Sequence, residues 1–517
     1  MWCGKRSTCW EMTPGLLTPS RLVLARNCLT ALAIGAAAIL CLRASVGPVH
    51  LGPFTVGSLL PLEQIFWVVL ILLGLLARNG PAMESGKNGA APLLPIGGTL
   101  ILVALFFCWN LHDSFLSDDY ILIGRTSLDL QAVKGYFTNP GGDGAFRPIG
   151  DLYFAGAGHW AGLEPWKWHL CGLILHLLNC ALLYFFTWIL WANPVISLNS
   201  ALVFGLHGTR PEVVVWTAGN FDSLACCFSL AALICAFLSR DSRRSYAYLL
   251  LVAGFLTLAI WSKESAYAFP LMLIGFWWAA KDLRRPGIRR SLVCAVLVST
   301  ALFVHRWALF GGPGGYSNPA TGRPAVLSLS LLSSAKALLL RLWAILLFPI
   351  NWDAGDDLGL PVCAALSAGL VLWLVLGANR KSFRTYAALL GMTACALLPA
   401  IHLALIGESC LGSRILYLPS VGFSVLCAHL IATYKSSASR AITQTALVVS
   451  VSVLLAYNLH GWHQTAHLAD RFCADIATGR EPMISHPPSV MHGVFFFANG
   501  LSECVSMKKD ALPVPPR

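Results

Sequence analysis

Two adjacent carboxylic acids, Asp118 and Asp119, stand in the run Leu-Ser-Asp-Asp-Tyr just beyond an apolar stretch of the sequence. A carboxylate held at such a boundary can act as a general base, because burial raises its pKa towards a working value. Two other interpretations stay open. The acids can begin a solvated loop, or they can contribute to a metal site, for which two adjacent acids supply too few ligands on their own.

Further polar residues, most of them ionisable, recur at the ends of other apolar stretches. Such residues are costly near a bilayer and tend to mark substrate paths. Cations at these positions would bind a lipid-linked phosphate. Two simpler interpretations stay open: Lys263 and Glu264 can neutralise each other, and the Arg414 side chain can extend to the lipid headgroups. These residues are His112, Asp113, Asp143, Arg147 and Asp151 in loop 111–167, followed by His207, Arg210, Glu212, Asn220, Asp222, Lys263, Glu264, Asp353, Asp356, Asp357, Glu408 and Arg414.

Two other patterns favour ordinary structure over chemistry. His460, His463 and His467 share one helical face, and we interpret them as a hydrated interfacial face in preference to a metal site. The glycine-rich run at 311–315 lacks the Lys-Ser/Thr of a phosphate-binding loop, so we expect a flexible outer loop.

The composition identifies the elements that must position these residues. Of 517 residues, 56% are hydrophobic and 12% charged, about half the charged fraction of soluble domains, which excludes that class. A membrane-spanning helix needs about 20 apolar residues, so the sequence predicts an all-α polytopic membrane protein with about 11–13 spans. The candidate spans are 27–42, 56–77, 94–110, 169–190, 196–207, 219–238, 246–260, 266–280, 291–309, 361–377, 385–403, 414–433 and 441–458.

The basic residues predict the orientation of these spans. Six clusters between them hold 19 Lys and Arg against four acids, a net charge of +15, which the positive-inside rule places in the cytoplasm. All six clusters lie on one side only if the stretch 325–350, which Lys336 and Arg341 interrupt, does not cross the membrane. We expect it to lie along the membrane interface or to re-enter the membrane without crossing it. The formal charge of +12 is then an orientation signal and does not indicate nucleic-acid binding. The same orientation predicts an extracytoplasmic position for Cys410, Cys473 and Cys504, where two of them can form a disulfide.

A series of motifs in fixed order resembles one family. The series covers about 94–433 and is similar to the polytopic glycosyltransferases of the GT-C fold, in particular the protein O-mannosyltransferase-like branch that carries tetratricopeptide repeats. The motifs are Asp118-Asp119, Phe-Arg-Pro-Ile at 146–149, Trp-His-Leu at 168–170, Leu-His-Leu-Leu-Asn at 175–179, Phe-Gly-Leu-His at 204–207 with Glu212, the run from Trp216 to Ala225, Trp-Ser-Lys-Glu at 261–264 and the run from Arg414 to Phe423.

The resemblance implies roles for individual residues. In that family the donor is a polyprenyl-phosphate sugar, and the first outer loop carries the catalytic acid. Asp118 or Asp119 would then be the base towards the acceptor hydroxyl, and we prefer Asp119, the second acid, which an aromatic residue follows. Lys263 and Arg414 would hold the donor phosphate, and Arg147 would order the loop or assist them. Residues supporting the cavity wall would be Glu212, Asp222, Glu264, His176 and Tyr417.

The chain also departs from the family pattern. We expect an N-terminal region at 1–92 with two extra spans, a GT-C-like catalytic module at 93–458 with its catalytic loop at 111–167, and a short extracytoplasmic tail at 459–517. No repeat with a 34-residue period follows the last span. The run after His207 lacks the usual proline, and Val494 to Leu501 is candidate strand material.

The function hypothesis follows from these features. It is an integral-membrane glycosyltransferase that moves a sugar, mannose-like in kind, from a polyprenyl-phosphate donor to an extracytoplasmic protein, lipid or glycan. Its partners are that donor, the acceptor and the bilayer, and the chemistry requires no divalent metal or other cofactor. A bacterial inner membrane with a periplasmic site is preferred, and the endoplasmic reticulum with a lumenal site is the alternative. Rival functions are a transporter or flippase of lipid-linked saccharides, a polymer ligase and a non-catalytic scaffold.

Overall fold

The apolar stretches fold into helices, because a helix satisfies its own backbone N–H and C=O groups where lipid offers them no partner. The computed structural model describes residues 49–51, 54–56, 92–124, 127–139, 141, 144–239, 245–280, 286–316, 324–351, 359–377, 382–405, 410–434 and 436–510. Within these ranges the chain is helical apart from its loops and two short antiparallel hairpins, β1–β2 and β3–β4.

The first half of the described chain contains most of the predicted site. Its elements are β1 (Val49–Leu51), β2 (Phe54–Val56), α1 (Leu93–Cys108), α2 (Asp118–Gly124), α3 (Leu130–Thr138), α4 (Pro148–Ala161), α5 (Pro165–Trp191), α6 (Pro194–Leu206), α7 (Pro211–Val214), a 3₁₀ turn (Thr217–Gly219), α8 (Asn220–Leu238), α9 (Ser245–Ser262), a 3₁₀ turn (Glu264–Ala268) and α10 (Phe269–Ala279).

The second half closes the bundle and adds an outer cap. Its elements are α11 (Pro286–Phe310), a 3₁₀ turn (Ala325–Ser328), α12 (Leu331–Lys336), a π turn (Ala337–Arg341), α13 (Leu342–Leu347), α14 (Gly359–Gly377), α15 (Phe383–Leu397), two 3₁₀ segments (Leu398–Leu405 and Ser413–Leu416), α16 (Ser420–Ala432), α17 (Ser437–Ala477), β3 (Val490–Met491), β4 (Val494–Phe495) and α18 (Leu501–Asp510).

Local sequence determines where several helices begin. Proline is the first residue of α4, α5, α6 and α7, where its missing N–H would have no helical partner anyway. Asn193 precedes α6, and its side chain accepts hydrogen bonds from Val195 N at 2.9 Å and Ile196 N at 3.2 Å. Asp129 caps α3 in the same way, accepting from Ala132 N at 2.8 Å.

The predicted class of fold, all-α and polytopic, is confirmed. Many large apolar side chains on α11 face outwards, including Val293, Leu297, Val304 and Trp307, as expected of a helix in contact with lipid. Among the described residues, six helical segments are long and apolar enough to cross a membrane, and four shorter apolar helices accompany them. The six are Pro165–Trp191, Thr217–Leu238, Ser245–Ser262, Pro286–Phe310, Phe383–Leu403 and Ser437–Ala477, and the four are Leu93–Cys108, Pro194–Leu206, Pro361–Leu370 and Ser420–Ala432.

Several boundaries differ from the sequence prediction. The two extra spans expected near the N-terminus lie outside the described residues, except for Val56 in β2. Within the stretch 325–350, a 3₁₀ turn is followed by one uninterrupted helical segment from Leu331 to Leu347 that contains a π turn. Among the described helices this segment is not one of those long and apolar enough to cross a membrane, and its placement at an interface stays a prediction. The helix expected from residue 414 begins at Ser420, and the helix expected to end at 458 continues to Ala477.

Helix packing brings the outer loops together. Within the bundle α8 packs against α5 and α9, α16 packs against α6, and α10 packs against α15. Beyond the end of α17, residues 478–510 fold back as a C-terminal cap. The disulfide between Cys473 and Cys504 joins α18 of this cap to α17, and α18 also packs against α2.

Candidate active site

The acid pair begins α2 directly after a strained turn. Ser117 has a backbone φ of 47°, in the left-handed region that residues other than glycine rarely adopt. Asp119 is 1% exposed. Its carboxylate accepts main-chain hydrogen bonds from Ala218 N at 2.8 Å and from Leu116 N and Thr217 N at 3.4 Å each. Asp119 therefore ties α2 to the 3₁₀ turn that precedes α8.

Asp118 lies in different surroundings, at the contact between α2 and the C-terminal cap. Its side chain is partly exposed, and it accepts a hydrogen bond from Asn499 Nδ2 at 2.7 Å. The main-chain N–H of Asn499 donates to Ser117 Oγ at 3.2 Å. A Cβ atom at Gly500 would lie 2.3 Å from the Ser117 carbonyl oxygen, so this close approach requires glycine. The cap thus holds the turn that presents Asp118.

Burial sets the protonation of the second acid. It raises the pKa of Asp119 well above the usual 3.8, and it outweighs the main-chain donors, which favour the charged form. The charge of Asp118 next to it acts in the same direction as burial. Asp119 therefore holds a proton more tightly than an ordinary aspartic acid, and it is far less accessible than Asp118.

Lys263 lies at the junction between α9 and the following 3₁₀ turn, and it forms an ion pair with Asp222 on α8. The residue is 6% exposed. Burial lowers the pKa of Lys263 to about 8, and the charges of Arg147 and Arg414 act in the same direction, whereas Asp222 opposes them. Three predicted cations are thus close enough to influence one another.

Glu264 is shared between two arginines. Arg147 Nη2 lies 2.9 Å and Arg306 Nη1 lies 3.3 Å from its carboxylate oxygens. Burial disfavours the charge of Glu264, but the two arginines together outweigh burial and lower its pKa to about 2. This triad of Arg147, Glu264 and Arg306 carries a net positive charge. The sequence motifs did not predict it, and neither did the interpretation in which Lys263 and Glu264 neutralise each other.

Arg414 is held by Glu212, the acid that starts α7. Arg414 Nη1 lies 3.5 Å from Glu212 Oε1. The same carboxylate accepts hydrogen bonds from Gly412 N at 3.0 Å and from Ser413 Oγ at 2.8 Å, so Glu212 fixes the whole turn before α16. The Arg414 guanidinium stacks on the Trp216 ring, 4.3 Å from its centroid.

One short stretch, the connecting segment at 210–222, links these groups. It contains Glu212 and Asp222, its main chain binds Asp119, and the Arg147 guanidinium lies 5.3 Å from the Phe221 ring centroid. The segment folds tightly on itself, since a Cβ atom at Gly219 would lie 2.6 Å from Val213 Cα. A movement of this segment would therefore displace several candidate residues at once.

His176 and Tyr417 lie inside the bundle and bond to each other. His176 Nδ1 is 2.7 Å from the Tyr417 hydroxyl, which also accepts from Asn179 Nδ2 at 3.2 Å. Arg210 is fully buried beside them, its guanidinium 4.7 Å from the Tyr417 ring centroid, and it donates to the Phe204 carbonyl at 2.7 Å. These residues form a buried polar cluster that includes Arg210, the first residue of the connecting segment.

A cavity of about 390 Å³ opens beside the triad. Three cations and one acid lie among its lining residues, and aromatic and aliphatic side chains form most of the remainder. Within the described part of the chain, Arg414 and the acid pair do not line it. Its residues are Ala145, Arg147, Lys263, Glu264, Ser265, Tyr267, Phe303, Arg306, Pro313, Gly314, Gly315, Tyr316, Leu398, Pro399, Ala400, His402 and Leu403.

Arg306 is the main residue that the sequence prediction missed. Besides pairing with Glu264, it donates from Nε to the Pro313 carbonyl at 2.8 Å and from Nη2 to the Gly144 carbonyl at 3.1 Å. Gly315 N also donates to the Gly144 carbonyl, at 2.8 Å. The glycine-rich run expected to be a flexible loop is therefore docked as a cavity wall. Asp143, Asp353, Asp356, Asp357 and Glu408 lie outside the described residues.

Two curated proteins share a limited region with this chain. Over 110 residues it is 30% identical to protein O-mannosyl-transferase TMTC2 of Homo sapiens and 29% identical to protein O-mannosyl-transferase TMTC2 of Mus musculus. The shared region is 21% of this chain and 13% of each relative, so the chain matches only a small part of their length. No family model and no solved structure matches the chain. The similarity supports the resemblance to a glycosyltransferase at a coarse level.

Proposed function

We propose that this protein is an integral-membrane glycosyltransferase that moves a sugar from a polyprenyl-phosphate donor to a hydroxyl group outside the cytoplasm. The observation that carries the proposal is the cavity between the helices, which combines three cations with apolar walls. An amphiphile with a phosphate head and a hydrocarbon tail matches that combination. The local similarity to protein O-mannosyl-transferase TMTC2 supports the same class of reaction.

The cations are suited to a phosphate leaving group. As the glycosidic bond breaks, negative charge accumulates on the departing phosphate, and positive groups fixed in a poorly hydrated site stabilise it. Arg147, Lys263 and Arg306 occupy such a site, and Glu264 holds the two arginines in place. Arg414 lies outside the cavity lining, stacked on Trp216, and in this proposal it supports the connecting segment.

The acid pair supplies the base. A base must come within hydrogen-bond reach of the proton that it removes. Asp118 is accessible, whereas the buried Asp119 carboxylate is already engaged by three main-chain donors. We therefore assign proton abstraction to Asp118 and the fixing of the turn to Asp119, a change from the assignment that the sequence motifs favoured.

The disulfide supports an extracytoplasmic site. Disulfides persist in oxidising compartments such as the periplasm or the lumen of the endoplasmic reticulum. Cys473 and Cys504 are paired, and the cap that they stabilise touches Asp118 through Asn499. The positive-inside rule predicts the same side for the acid pair, which supports the proposal. The proposed site therefore faces the periplasm of a bacterial inner membrane or the lumen of the endoplasmic reticulum.

The test is sugar transfer in membranes that contain the full chain. Radiolabelled mannosyl polyprenyl phosphate is supplied, and label transferred to acceptor or to water is counted. Asp118→Asn should reduce transfer by at least about 100-fold, the scale of a lost general base. Glu164→Gln, an exposed acid of the same outer loop, is the matched control and should transfer normally.

The outcomes separate the proposal from its rivals. Normal transfer by Asp118→Asn and Asp119→Asn, with both variants folded, would refute the catalytic role of the pair. A flippase needs no base, so it should move fluorescent lipid-linked sugar across proteoliposomes with wild-type rates in both variants. Movement of lipid without transfer by the wild type would overturn the glycosyltransferase proposal.

A further inference from the structure

Three potential metal ligands meet at the outer end of α17, away from the cavity. They are Asp113, in the segment between α1 and α2, and His463 and His467 on α17. One ligand atom from each lies within 4.8 Å of the others. Asp113 is buried, His463 is half-buried and His467 is exposed, so the cluster opens to solvent on one side.

The two histidines are arranged to act together. A spacing of four residues places them on one helical face, one turn apart. Their ring centroids are 4.3 Å apart with planes at 81°. His463 Nδ1 already lies 2.6 Å from Asp113 Oδ1. Tetrahedral zinc sets its ligand atoms about 3.4 Å apart, so a bound ion would replace the hydrogen bond between His463 and Asp113, with a small shift of the histidine side chains.

The carboxylate is held in position by its neighbours. Asn110 Nδ2 donates to Asp113 Oδ2 at 2.5 Å, which leaves the other oxygen towards the histidines. Asn110 also donates to the Leu459 carbonyl on α17 at 3.3 Å. His169 Nε2 lies 3.0 Å from the Asp113 main-chain oxygen. Hydrogen bonds of this kind orient the ligands of protein metal sites.

We propose that Asp113, His463 and His467 form a three-ligand site for a divalent transition-metal ion, with Zn²⁺ as the probe. Two imidazoles and one carboxylate are a donor set that zinc takes with a further position open to water. This departs from the hydrated face that the sequence favoured. The ion would clamp α17 to the segment that leads into Asp118, and the proposal does not depend on the transferase activity.

The experiment measures metal binding by the purified full chain in detergent. After treatment with a chelator, the protein is titrated with Zn²⁺ against a chromophoric competitor, and Co²⁺ is added separately to record its visible absorption. We expect one tight equivalent of Zn²⁺ and a tetrahedral Co²⁺ spectrum. His467→Ala should weaken binding at least tenfold, which is the lower end for loss of a group supporting metal affinity.

His460→Ala is the matched control, because His460 is exposed on the same helix one turn before His463 and is not in the cluster. It should bind like the wild type. His467 is exposed, so its replacement leaves the Asp113–His463 contact intact and keeps the test valid where His463→Ala fails to fold. Wild type that binds no tighter than His467→Ala, or His460→Ala that loses binding equally, would overturn the proposal.

Discussion

Asn499 Nδ2 donates a hydrogen bond of 2.7 Å to Asp118, a residue 381 positions earlier in the chain. The contact joins the C-terminal cap to the acid that we assign as base. The donor that it places beside that acid is a neutral amide. The hydrogen bond orients one carboxylate oxygen of Asp118.

Replacing Asn499 by alanine should slow transfer without unfolding the protein. A hydrogen bond to a charged group contributes about 1.5–3 kcal/mol, so its loss should reduce kcat about 10- to 100-fold. Ser502→Ala, at an exposed neighbour in α18, is the control and should leave kcat unchanged. Steady-state rates with labelled donor provide the measurement, and equal kcat in the wild type and Asn499→Ala would contradict the positioning role.

The affinity for donor should depend on the charge of Lys263. The pKa of Lys263 is about 8, so its ammonium is charged below that pH and becomes neutral above it. The donor KM should therefore rise as the pH increases past about 8. Asp222→Asn removes the partner that favours the charged form, so the rise should begin at lower pH. Profiles of KM between pH 6.5 and 9.5 that coincide for the wild type and Asp222→Asn would argue against this role.

Arg306→Ala should weaken donor binding while leaving Lys263 in place. It removes one of three cations and releases the Gly144 and Pro313 carbonyls together. We expect the donor KM to increase about tenfold, as when about 1.4 kcal/mol of binding is lost. Arg289→Ala, an exposed arginine near the other end of α11, should have no effect. An unchanged KM in Arg306→Ala would mean that the phosphate binds elsewhere.

Two glycines of α4 provide a steric test of the connecting segment. A Cβ atom at Gly150 would lie 2.3 Å from the Phe221 ring, on which Arg147 rests, whereas Gly156 faces open space. Gly150→Ala should destabilise the fold by about 1–3 kcal/mol and reduce activity. Gly156→Ala should be neutral or slightly stabilising, because alanine favours helices. Thermal unfolding and transfer assays on both variants compare the two, and similar melting temperatures would exclude the clash.

The sequence predicted the apolar helices well because their signal is local. The span expected at 246–260 forms as Ser245–Ser262, and the one at 169–190 as Pro165–Trp191. The structure differs from the sequence prediction where contacts with distant residues determine the ends of a helix. The helix predicted from residue 414 starts at Ser420, because Glu212, about 200 positions away, holds residues 412–414 in a turn. Likewise α17 continues to Ala477, beyond the apolar part that ends near residue 458, because hydropathy detects only the apolar part of a helix.

The candidate site could be predicted only in part. Residue types and sidedness identified Asp222, Lys263, Arg147 and Glu264, but their pairing depends on contacts between α8, α9 and the outer loops. Arg306 lies in an apolar run and carries no motif, so nothing local marks it. The link between Asn499 and Asp118 has no signal in the sequence at all, because a single asparagine in a polar tail is unremarkable there.

The position of Asn499 has a consequence for how the molecule matures. In the proposed orientation, the acid pair reaches the outer side early in synthesis, while its hydrogen-bond donor, Asn499, is still nearly four hundred residues from being made. The cap can then close only after the tail has been moved across the membrane to the same side as the acid pair and the disulfide between Cys473 and Cys504 has formed. The site is therefore completed last, and a chain stalled or reduced before that step would hold every helix of the cavity yet lack an oriented base.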